Sequence, residues 1–218
     1  AGGVVPPLID AAKLFSAKYK HEVMVVPGKA EELIEAVKKT QDADILCVGA
    51  EHVMDLAQVC GIIDKNSRKT IGYRRSVLLV QYGNPKNIRR LEDITKDRIS
   101  ISISGTGCLM GVWDDIASKV GLTDKVRQNI VIVADGCGHL IQTITLKEVD
   151  VAFGWNVFAT MFPKAIQAVE FPEDLQVRRS TNIAIFTFSD KISEASRFIE
   201  FLQSQEARAL YKKYDWEV

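Results

Sequence analysis

The sequence predicts an α/β protein built as two lobes, the second inserted into the first. Three observations predict it. Apolar strands alternate with amphipathic helices in two successive series, the pattern of parallel strand pairs crossed over by helices. Two long extended segments, Thr70–Tyr82 and Leu175–Ser189, join the series. Glycines fall just after strands and just before helices, at Gly2-Gly3, Gly28, Gly49, Gly105-Gly107 and Gly136-Gly138. The 218 residues suffice for two lobes of about 100 each. The boundaries predicted are lobe 1 over residues 1–77, with 186–218 returning to it, and lobe 2 over 78–185. A ligand cleft is expected between the lobes, because open α/β sheets bind ligands outside their strand carboxyl ends.

The elements follow in order. Leu8, Ala11, Ala12, Leu14 and Phe15 repeat at helical spacing, and Pro6-Pro7 suits a first turn, so a helix is expected over residues 7–19. A glycine pair before a helix ordinarily follows a strand, which predicts a strand upstream of Ala1. HEVMVVPG predicts a strand ending at Gly28. Leu33, Ile34 and Val37 share one face of a helix over residues 30–40. A buried strand is predicted at Asp44–Val48, a helix at His52–Val59 and a long strand at Thr70–Tyr82. The second series reads as a short LEDI helix, strand RISISIS, a helix over Thr106–Val120, strand Ile130–Ala134, helix Gly138–Leu146, strand Val149–Gly154 and helix Val157–Lys164. Leu175–Ser189 is extended, and a final amphipathic helix is predicted over Glu194–Tyr211.

Composition narrows the function. With 28 Lys+Arg against 28 Asp+Glu the formal net charge is zero, whereas a general nucleic-acid binder carries a basic surplus. No apolar run approaches the ~20 residues that span a bilayer. The chain opens at Ala1 without an initiator Met, which fits removal of an export leader or a start within the gene. The four cysteines, Cys47, Cys60, Cys108 and Cys137, contain no CxxC pair, and Cys47 within ADILCVGA reads as a buried small hydrophobe.

The glycine turns direct attention to anions, since helix N-termini expose unpaired N–H groups and partial positive charge. SGTGCLMG, Ser104–Gly111, lacks the Gly-Lys-Ser/Thr ending of a phosphate-binding loop and the glycine spacing of a dinucleotide fingerprint, so no cofactor is expected. Cys108 and Cys137 with His139, and Met110 nearby, offer soft-metal ligands as an alternative; a Cys108–Cys137 disulfide is a second. Asp114-Asp115 read as solvated, and no Ser/His/Asp constellation is found, which favours a binding protein over an enzyme.

DADILCVGAEHVMDLAQVCGIID (Asp42–Asp64), SVLLVQYGNPKNIRRLEDI (Ser76–Ile94), EVDVAFGWNVFA (Glu148–Ala159) and SQEARALYKKYDWEV (Ser204–Val218) stand in the order of the corresponding motifs of molybdate/tungstate-binding solute receptors of ABC importers. The chain resembles that family along nearly its whole length. The resemblance implies a type II periplasmic-binding-protein fold, with a mixed sheet flanked by helices in each lobe and two hinge crossings. It implies an extracytoplasmic receptor that closes on a small oxyanion, partners an ABC permease, and meets the membrane only through that transporter or an anchor. Carried over by position, the ligand-binding residues are Gly2, Gly3 and Val4, then Gly28, Lys29 and Ala30, then Gly107, Cys108, Leu109 and Met110, with Cys137 and Trp155. Gly3-Val4 and Lys29-Ala30 stand where the family carries hydroxyl residues, and Trp155 where it carries Tyr. Glu51, close to these loops, would repel an anion or bind a cation. Two alternatives accompany this reading: the same scaffold holding a metal or small organic ligand, and the effector-sensing domain of a LysR-type regulator.

Overall fold

The structure, a computed structural model, describes residues 3–218. Its first helix, α1 (Val5–Tyr19), carries proline in the first turn, where no backbone donor is lost, and stops at Lys20 in the left-handed conformation. Pro7, Leu8, Ala11, Ala12 and Phe15 form its buried stripe. Helix α2 (Ala30–Thr40) matches the predicted span, with acidic residues Glu31 and Glu32 in its first turn and Lys38 and Lys39 in its last. Strand β1 (Ile45–Val48) and helix α3 (Glu51–Val59) follow, and then β2 (Lys69–Gln81).

The expected strand HEVMVVPG does not form. Residues 21–29 take no regular structure, Met24 is 82% exposed and Val26 60%, and no described strand runs beside them. Alternating β-branched residues are not sufficient without a neighbouring ladder to satisfy the backbone.

Beyond β2 a 3-10 turn (Leu91–Thr95) leads to β3 (Ile101–Ser104). The single helix expected over 106–120 is instead a 3-10 turn (Gly107–Leu109) and helix α4 (Val112–Lys119), because Gly111 at φ +78° breaks the run. Helix α5 (Thr123–Gln128), which the sequence reading missed, precedes β4 (Ile130–Ala134), α6 (Cys137–Thr145), β5 (Val151–Trp155) and α7 (Asn156–Met161). The extended stretch after it contains β6 (Ile166–Glu170), also missed, and β7 (Arg178–Ile185). The predicted final helix is two, α8 (Ile192–Leu202) and α9 (Gln205–Lys213). Ser204 separates them, its side chain accepting from the Ala207 amide as an N-cap.

The chain divides into two units, one comprising Ala1–Tyr73 with Arg179–Val218 and the other Arg74–Arg178. The sequence places these boundaries after residues 77 and 185; the structure divides the chain after Tyr73 and Arg178. In the first unit β1 pairs antiparallel with β7, Cys47 opposite Ile183. Its aromatic core sets Phe15 5.1 Å from Phe198 and 5.4 Å from Phe201. In the second unit the strand order is β6-β2-β5-β3-β4. β3 is parallel to both β4 and β5, and β2 is antiparallel to β5 with Ser76 opposite Trp155. Every residue of β5 is buried, as expected of an inner strand covered on both faces. No described helix is long and apolar enough to cross a membrane.

Candidate functional site

Parallel pairing of β3 with β4 and β5 brings Ser104, Ala134 and Trp155 to one end of the second unit's sheet. The turns leaving that end carry several of the candidate side chains. Gly107 (φ +66°) and Gly111 (φ +78°) frame the 3-10 turn holding Cys108, and Gly136 (φ +90°) lets the chain enter α6 at Cys137. The two sulfurs lie 3.7 Å apart, and both cysteines are buried free thiols. Trp155, wholly buried, donates its indole Nε1–H to Cys108 Sγ at 3.2 Å. Arg74 lies just past the Ser76–Trp155 register on β2. It is 1% exposed, donates Nη1–H to the same sulfur at 3.4 Å, and sets its guanidinium 5.1 Å from the Trp155 ring centre.

The Cys108 sulfur therefore sits where two N–H donors and the Cys137 sulfur meet. The hydrogen bond from Cys137 draws the Cys108 thiol well below its ordinary range; burial opposes this, while the Arg74 charge and the Trp155 N–H reinforce it. The same contact, burial and the charge of Cys108 push the Cys137 thiol well up. The two thiols are thus coupled, and Cys108, the sulfur that faces the cation, is the more acidic of them.

Not all the expected loop residues join this cluster. Leu109 is buried, whereas Met110 is 53% exposed. His139 is exposed and turns its Nδ1 to accept from the Asp135 amide at 3.1 Å. No group of three or more His, Cys, Asp or Glu among the described residues is placed to hold a metal ion. Asp114, expected to be solvated, is half-buried. Cys47, expected to be buried, is half-buried on β1. Arg74 was missed by sequence reasoning; its signal was a pair of arginines directly before the apolar run SVLLV.

In the first unit, Gly3 and Val4 are buried ahead of α1, and the expected site residue Gly2 lies outside the described residues. Lys29 is the extended residue before Ala30 at the start of α2, its Nζ 3.8 Å from Glu32. Gly28 has Leu33 side-chain carbons 2.9 Å from where a Cβ would stand, so a side chain there would displace Leu33.

Glu51, the first residue of α3, is the end of a chain of hydrogen bonds. Thr70 Oγ1–H donates to Asn182 Oδ1 at 3.2 Å, Asn182 Nδ2–H to Ser180 Oγ at 2.7 Å, and Ser180 Oγ–H to Glu51 Oε1 at 2.6 Å. The Ser180 amide adds a bond to the same oxygen at 2.8 Å. Partial burial pushes the Glu51 carboxyl up, but the two bonds from Ser180 outweigh it and hold the pKa below the ordinary value. This network borders an open polar depression of about 490 Å³ that Arg68 and Lys69 also line. Ser180 and Asn182 were also missed, although two polar residues at period two in an apolar strand are the pattern of a shared polar face.

The family model for bacterial extracellular solute-binding proteins matches residues 1–217. Among solved structures, L-phospholactate-bound PEB3 is similar over 100% of this chain and 96% of its own, with 27% identity and a TM-score of 0.89. Peb3 from Campylobacter jejuni gives 27% identity, the same coverage and a TM-score of 0.85. The Azotobacter vinelandii periplasmic molybdate-binding protein, at 16% identity, covers 100% of this chain and 96% of its own with a TM-score of 0.81, a likeness of fold. A search of curated proteins gave no match.

Proposed function

Because this chain belongs to the family of bacterial extracellular solute-binding proteins, we propose that it is the receptor of an ABC importer for a small oxyanion, either inorganic and tetrahedral or an organophosphate acid. The observation that carries this reading is the buried Arg74 guanidinium, converging with the Trp155 N–H on the end of the sheet where the glycine turns enter α4 and α6. A buried cation, a neutral donor and helix N-termini at one strand end favour negative charge. Solute receptors of this fold have no acid–base chemistry to perform. Orientation of donors is the function.

The L-phospholactate in PEB3 supports the organophosphate form, since it joins a phosphate to a carboxylate on a three-carbon frame. Molybdate, sulfate and inorganic phosphate represent the inorganic form.

Isothermal titration with molybdate, tungstate, sulfate, phosphate and L-phospholactate tests it. Saturable heat with at least one is expected, and no heat with any refutes the oxyanion assignment. Arg74→Met should weaken the responding anion at least tenfold. Small-angle scattering with that anion should show the compaction expected of hinged closure.

A further inference from the structure

Cys108 and Cys137 meet from two different turns, and the donors around them are directed at sulfur. We propose that this pair is an oxidisable dithiol, and that its conversion to a disulfide releases the Trp155 and Arg74 donors to an incoming anion. The second half rests on the oxyanion reading; the first does not.

The geometry favours the bond. The sulfurs stand 3.7 Å apart, so closing to the ~2.05 Å of a disulfide needs an approach of roughly 1.7 Å. Glycines at 107, 111 and 136 hold both turns in left-handed or open backbone, and at 107 and 111 nothing lies within 4 Å of an added Cβ. The remaining cysteines are less favoured: Cys47 lies on β1, and Cys60, though exposed, lies at the end of α3, both in the other unit.

Burial selects a small, uncharged oxidant of the peroxide class. The Cys108 thiolate attacks one peroxide oxygen, forming a sulfenic acid and expelling hydroxide. The Cys137 sulfur then attacks the Cys108 sulfur, its proton leaves with the sulfenic oxygen as water, and the S–S bond closes. The pair gives up two electrons and peroxide accepts them, so the charge on sulfur ends on hydroxide. The sulfur that accepted from Trp155 Nε1 and Arg74 Nη1 is then neutral, a poor acceptor, and no longer repels an anion. In the reduced protein the Cys108 sulfur holds the Trp155 and Arg74 donors that the anion needs.

The test has two independent readouts. The purified protein is treated with hydrogen peroxide or with reductant, unfolded, alkylated and mapped by mass spectrometry. A Cys108–Cys137 linkage that reductant reverses is expected; full alkylation of both, or pairing only through Cys60, overturns the proposal. In Cys137→Ser the reaction should stop at a Cys108 sulfenic acid that dimedone traps, and failure to trap it also overturns the proposal. Titration of inorganic phosphate and molybdate into both redox forms reads the coupling. The oxidised form should bind about tenfold or more tightly, and equal affinity refutes the coupling. A disulfide that forms while neither form binds any oxyanion supports the dithiol and refutes the anion reading.

Discussion

Replacing Ser180 by Ala isolates the network that ends at Glu51. The hydroxyl both donates to the Glu51 carboxylate at 2.6 Å and accepts from Asn182 at 2.7 Å, so its loss acts twice. A hydrogen bond to a charged acceptor contributes about 1.5–3 kcal/mol, and a buried donor left without an acceptor costs about 1–3 kcal/mol. Asn182 is 4% exposed, so the second cost applies, while the open depression lets water reach Glu51 and moderates the first. Taking the lower ends gives about 2.5 kcal/mol, or a Tm lower by roughly 5–10 °C for a chain of this length. The pH dependence is specific. The folded pKa of Glu51 is lowered, so its stabilising contribution is fully present above the unfolded value of about 4.3 and is lost as pH falls through the folded value. The cost of Ser180→Ala should therefore be largest at neutral pH and shrink as pH falls below about 4, leaving the Asn182 part. Calorimetry of both proteins across that range reads it directly. A cost that does not change with pH, or one below about 0.5 kcal/mol at neutral pH, refutes the charge-assisted role given to Ser180.

Other perturbations test other parts of the molecule. Gly154→Ala should destabilise by about 1–3 kcal/mol, because the new Cβ would lie 2.2 Å from Leu79 Cδ1 and 2.8 Å from Leu79 Cγ inside the sheet core; an unchanged denaturation midpoint refutes this. Trp155→Phe removes the indole donor to Cys108 and should move the ultraviolet titration of its thiolate to higher pH, whereas an unmoved midpoint assigns that charge elsewhere. Tyr214 donates to Asp10 at 2.6 Å, and that bond pushes its phenol up to about 12. Its stabilising contribution is thus present below the unfolded value of about 10 and lost as pH rises through 12, so Tyr214→Phe should cost about 0.5–1 kcal/mol at neutral pH and nothing above 12.

What the sequence carried was periodic. The apolar face of α1, the whole span of α2 and most of β5, expected over Val149–Gly154, were legible because burial on one or both sides imposes a repeat on the residues themselves. Two of the glycine turns were legible for a related reason: Gly107 and Gly136 occupy backbone conformations that side chains disfavour, whereas the break at Gly111 was not read. Legibility ended where the outcome depended on a neighbour. HEVMVVPG has the composition of a strand but no described ladder, and one helical stripe over 194–211 gave no warning that Ser204 would cap a second helix.

The candidate site divides along the same line. Sequence alone determined the order of two α/β series and set Cys108 and Cys137 beside glycine turns, because element order and glycine position are written locally; the solute-receptor reading and the choice of Trp155 came from the family resemblance. Only the tertiary structure decided that these three meet, that Arg74 is the buried cation beside them, and that His139 turns away to the Asp135 amide. It also decided that Glu51 is held by Ser180 from β7. The physical reason is that a charge is set by what surrounds it. The residues surrounding Cys108 come from β2, the first turn of α6 and the end of β5, up to 81 positions apart between Arg74 and Trp155, and no spacing rule in one dimension brings them to one sulfur.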